Sequence, residues 1–108
     1  MPYNLQLAER IRSELDGIPV VEKKMFGGIG FLLNGNMACG VHKEYLIVRI
    51  DPEKQDSLLK KSHTQPFDLT GKPMKGWLLV DGGGIKTGKQ LSAWIKEGLE
   101  FASTLPPK

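Results

Sequence analysis

Gly83-Gly84-Ile85-Lys86-Thr87-Gly88-Lys89-Gln90 has the residue types that cradle a phosphate, and it lies between a strand pattern and a helix pattern. It matches the spacing of a phosphate-binding P-loop up to its last position. There the motif needs a hydroxyl to bind Mg²⁺, and Gln90 is a poor substitute. A structural reading fits these residues better: Thr87 and Gln90 form a capping box, each side chain satisfying the other's backbone amide at a helix start. Passive anion binding by Thr87, Gly88 and Lys89 remains as a weaker reading. Gly27-Gly28-Ile29-Gly30 does not complete a dinucleotide fingerprint, because a hairpin follows where a helix should begin.

Cys39 and His42 have metal-ligand chemistry, but residues three apart on a strand point to opposite faces. His63 is the only other histidine, so no metal site is read from the chain. Cys39 reads as a small buried apolar residue rather than a nucleophile. Arg49 is the odd member of an apolar strand. It is either a partner or ligand contact, or it pairs inside the fold with a carboxylate such as Asp68, and the local pair is the plainer reading. No Ser-His-Asp set and no pair of catalytic carboxylates can be placed, and no cofactor is implied.

The elements that position these residues follow from periodicity. Leu7, Ala8, Ile11 and Leu15 recur at helical spacing, and Asp16-Gly17 ends the pattern. Residues 20–26 read as a strand, after which Gly27 and Gly28 allow a bend before residues 29–33 extend again. Asn34-Gly35 suits a type I′ turn into a strand over 37–42, and a turn at Lys43-Glu44 leads to a strand over 45–50. Asp51-Pro52-Glu53 marks a short helix running through Leu58 and Leu59. Residues 66–69 and 76–80 are the remaining strands, joined by a turn-rich stretch at 70–73. Leu91, Trp94, Ile95, Leu99 and Ala102 form a last helical stripe, stopped by Pro106-Pro107. The expected fold is α+β, a two-layer sandwich with an antiparallel sheet of about five strands, in the order α-β-β-β(-β)-α-β-β-α.

The chain has 108 residues, enough for one domain spanning 1–108. No apolar run is long enough to cross a bilayer. The N-terminus lacks a secretory pattern and the single cysteine cannot form an intrachain disulfide, so the cytoplasm is the expected compartment. Fifteen Lys and Arg against 12 Asp and Glu give a net charge of +3. The basic residues are scattered in pairs such as Lys23-Lys24 and Lys60-Lys61, which reads as solvated surface. Direct nucleic-acid binding therefore has no motif behind it.

Residues 24–31 (Lys-Met-Phe-Gly-Gly-Ile-Gly-Phe) and 34–38 (Asn-Gly-Asn-Met-Ala) closely resemble the N-terminal domain of the TfoX/Sxy competence-regulator family. The likeness continues through residues 46–49, 66–77, 91–94 and 104–108, where it is similar to the short stand-alone members. The resemblance implies helices packed on an antiparallel sheet. Full-length members are linked to control of natural-competence genes with other regulators and carry a second, C-terminal domain. The family brings no established catalytic residues. Its implication is a non-enzymatic, regulatory or protein-interaction module, with a protein partner or a second copy of the chain as the binding partner.

On that reading the contact candidates are Tyr45, Arg49, Phe67, Asp68, Lys72 and Trp77, which share the sheet face opposite Leu46, Val48 and Ile50 or the loop beside it. The alternative is a small-ligand, phosphate or nucleotide binder that uses the glycine-rich loop at 81–89.

Overall fold

The structure is a computed structural model and describes residues 3–25, 27–68 and 75–107. Asn4 starts the first helix, α1 (Leu5–Glu14), by accepting a hydrogen bond from the Leu7 amide at 3.0 Å. Leu7, Ala8 and Ile11 turn inward, and the next apolar residue, Leu15, closes the stripe.

Four strands then run as a meander: β1 (Val20–Met25), β2 (Gly28–Leu33), β3 (Asn36–His42) and β4 (Tyr45–Arg49). The bend expected at Gly27 and Gly28 is a full reversal, since Met25 pairs with Gly28 and the two strands are antiparallel. Asn34 and Gly35 have φ of 54° and 82°, the pair of positive values that a type I′ turn requires. Asp51 accepts from the Glu53 amide at 3.0 Å and Pro52 opens the 3-10 turn Pro52–Lys54, which continues into α2 (Gln55–Leu59).

After α2 come β5 (Thr64–Pro66), β6 (Trp77–Val80), the 3-10 turn Gly82–Gly84 and the long helix α3 (Gly88–Thr104). The sheet has six strands in the order β1-β2-β3-β4-β6-β5, with every neighbouring pair antiparallel. The optional strand before α2 is thus present. The strand expected over 66–69 lies earlier, at Thr64–Pro66. Pro66, which has no N–H to donate to a ladder, is the last residue of this strand, and β5 lies at the edge of the sheet, where proline is tolerated. The turn expected at 70–73 lies outside the described residues.

The core occupies the face toward α1 and α3, where Leu7, Ile11, Phe31, Cys39, Val41, Leu46, Val48, Leu78, Leu91 and Ile95 are all buried. α3 sits directly on the sheet because Gly98 faces the backbone of Ala38, and a Cβ there would collide with the Ala38 carbonyl. Ala38 is the extra residue of a bulge: Phe31 pairs with Cys39 and Leu32 with Met37. On the opposite face Met37, Ile47 and Leu79 form a second cluster around Phe67, flanked by the half-buried Leu32, Tyr45 and Trp77.

Candidate functional site

Arg49 and Trp77 are cross-strand partners on β4 and β6, so their side chains share the face of the second cluster. The guanidinium carbon lies 4.8 Å from the Trp77 ring centroid and 5.7 Å from that of Phe101 on α3. Burial lowers the Arg49 pKa from the ordinary guanidinium value, yet an arginine stays charged in proteins. No ion pair joins Arg49 to Asp68, which is exposed. The expected internal pair is therefore replaced by aromatic contact. Among the described residues no carboxylate pairs with Arg49.

The other contact candidates divide by burial. Phe67 is fully buried, with ring centroids 5.8 Å from His42 and 6.3 Å from Trp77, and its role here is to fill the second cluster. Tyr45 and Trp77 are half-buried at the edge of that cluster. Lys72 lies outside the described residues. Cys39 faces the helices and His42 the opposite side of the sheet. Burial pushes the Cys39 thiol up to about 12, so it stays protonated and unreactive at neutral pH.

At the start of α3 the capping box is present: the Gln90 amide donates to Thr87 Oγ1 and the Thr87 amide to Gln90 Oε1, both at 3.1 Å. Thr87, Gly88 and Lys89 are exposed. The nearby concavity is not formed by them. It lies alongside, between the turn after α2, the 3-10 turn Gly82–Gly84 and the next turns of α3, and is lined by Lys61, Ser62, His63, Gly84, Gln90 and Trp94, among others.

His63 and Asp81 were not singled out together by the sequence, yet they meet here. His63 Nδ1 lies 2.9 Å from Asp81 Oδ1, an oxygen that also accepts from the Gly83 amide at 2.9 Å. His63 holds a left-handed backbone, φ 69°, which few non-glycine residues adopt. Nothing in the spacing of these residues advertises the pair. It follows from the β5–β6 register, which only long-range pairing sets.

Together these features define an α+β domain with helices on one face of an antiparallel sheet, an arginine held by aromatic rings, and a small groove of mixed polar and apolar lining at one end of α3. The TfoX N-terminal domain family model matches residues 15–102, and the chain belongs to that family. No curated protein and no solved structure matches the chain. Among the described residues no helix is long and apolar enough to cross a membrane.

Proposed function

We propose that this chain is a non-enzymatic protein-interaction module of regulatory type, acting in the cytoplasm, that docks a partner carboxylate on Arg49. The observation that carries this reading is the Arg49 guanidinium held against Trp77 and Phe101 with no carboxylate paired to it among the described residues. The two rings supply no hydrogen-bond acceptor to the guanidinium, so its N–H donors suit a planar acceptor such as a carboxylate. Arginine and tryptophan in a partly desolvated setting are also the residue types that dominate interface energetics. Membership of the TfoX N-terminal domain family supports a regulatory setting.

The experiment compares immobilised wild-type chain with Arg49→Lys and Arg49→Ala variants of unchanged thermal midpoint. A captured protein is then purified and titrated against all three. Loss of an anchor worth about 2 kcal/mol weakens binding about 30-fold, and lysine does not restore it because it lacks the planar fork. Retention of the same proteins by wild type and Arg49→Ala overturns the reading. Light scattering on the same variants tests the version in which the partner is a second copy of the chain.

A further inference from the structure

The groove beside His63 has a volume of about 350 Å³, within the range of small-molecule sites. Its walls come from three separate parts of the fold. Lys61, Ser62 and His63 come from the turn after α2, Gly84 from the 3-10 turn Gly82–Gly84, and Gln90, Ala93, Trp94 and Glu97 from successive turns of α3.

His63 is oriented by its neighbours. The 2.9 Å contact to Asp81 orients the ring, and the absence of a side chain at Gly83, where a Cβ would overlap the imidazole, makes room for it there. With Nδ1–H donated to Asp81, the second ring nitrogen is the one left for a ligand. Lys61 holds its ammonium 5.4 Å from the Trp94 ring centroid and pairs with no carboxylate among the described residues. Gln90 spends its carbonyl oxygen on the Thr87 amide, so its NH₂ group is the part with donors to offer. Ser62 adds a hydroxyl. Donors thus outnumber acceptors at this end. The far end is reversed: Glu97 supplies a carboxylate, only loosely opposed by Lys54 at 4.0 Å.

We propose that this groove binds a small phosphate monoester with a hydroxyl-bearing body, its phosphate taken by Lys61, Ser62, His63 and Gln90 and a hydroxyl by Glu97. Four donor side chains arriving from two elements, the turn after α2 and the first turn of α3, suit a tetrahedral oxyanion better than a planar carboxylate, because its oxygens point in more directions. Imidazole suits it further, because it donates to the dianion when protonated and accepts from the P–OH of the monoanion when neutral. The site uses no part of the Arg49 surface, so each fails or stands without the other.

The test is an NMR titration of the full chain with glycerol phosphate, inorganic phosphate, glycerol and acetate. Glycerol phosphate produces saturable shifts at Lys61, His63, Gly84 and the Trp94 indole. Inorganic phosphate binds the same residues more weakly, and glycerol and acetate leave them unmoved. Lys61→Met and His63→Asn each weaken binding at least tenfold, while Lys60→Met, next door and exposed, does not. Asparagine tolerates the left-handed backbone, and thermal melts confirm that each variant is folded. No saturable response up to about 10 mM, where a millimolar site is mostly filled, overturns the proposal. So does an equal loss in Lys60→Met, which marks diffuse charge attraction. Equal affinity for inorganic phosphate and glycerol phosphate overturns the hydroxyl contact at Glu97, and equal affinity for acetate overturns the phosphate assignment.

Discussion

His63 and Asp81 face each other one step beyond Thr64 and Val80, the end of the β5–β6 ladder, with the Asp81 amide donating to the His63 carbonyl at 2.9 Å. The side chains repeat the pairing made by the backbone, His63 Nδ1 lying 2.9 Å from Asp81 Oδ1. One carboxylate oxygen therefore orients an imidazole and caps the turn that follows, since it also accepts from Gly83. The groove inherits its shape from this hairpin end.

Removing that acceptor unties both contacts at once. Asp81→Ala is expected to destabilise the chain by about 1–2 kcal/mol, the usual range for losing an N-cap, read as a lower urea midpoint at unchanged m. His63→Asn tolerates the backbone and costs less than His63→Val, whose β-branched side chain is strained at φ 69°. Equal stability of the two His63 variants would contradict a left-handed residue at this position.

Gly98→Ala separates helix propensity from packing. In an exposed helix the change adds about 1 kcal/mol of stability. At this site the new methyl meets the Ala38 carbonyl, a backbone atom held by its sheet, so a net loss of about 1–3 kcal/mol is expected. Gly88→Ala, at the first turn of the same helix and with nothing within 4 Å, serves as the control and is neutral or stabilising. Denaturant unfolding of both variants decides the matter by sign.

Arg12 grips Glu22 with a two-pronged contact at 2.8 and 2.9 Å, tying α1 to β1, and also reaches Glu9. The hydrogen bond from Arg12 holds the Glu22 carboxyl below its ordinary value. A depressed carboxyl stabilises the fold above its unfolded value and loses that contribution as pH falls through its folded value. Both side chains are more than a third exposed, so solvent screens the pair, the effect is at most about 1 kcal/mol and it shrinks with salt. Arg12→Gln should flatten the fall in stability below about pH 5, where an unperturbed glutamate starts to titrate. An unchanged slope in acid titrations of the two proteins would exclude this role.

Cys39 reports on opening of the core. Its thiol is buried under α3 and pushed up to about 12, so modification by an aromatic disulfide at neutral pH requires the chain to open. Labelling rates should rise with urea in step with unfolding, and fast labelling in the absence of urea would contradict the packing.

Much of the architecture was legible because it is local. The stripes Leu7-Ala8-Ile11 and Leu91-Trp94-Ile95, the Asn34-Gly35 turn, the Asp51 cap and the Thr87–Gln90 capping box all depend on residues within a few positions of one another. The strand placed at 66–69 was misplaced because β5 is held by its partner and not by any apolar pattern: Thr64 and Gln65 are polar and find their place only by pairing with Val80 and Leu79. Arg49 was visible as an exception in an apolar strand, but its contact with Trp77 depends on the β4–β6 register.

Sequence by itself determined the element order, the Asn34-Gly35 turn, the helix starts and the family, because propensity, capping and patterning act between near neighbours. Tertiary structure alone decided that Arg49 meets rings instead of Asp68, that Gly98 lets α3 rest on Ala38, and that Lys61, His63 and Trp94 line one groove. Those relationships join residues distant along the chain, and only strand register and the descent of a helix onto the sheet bring such residues within contact range.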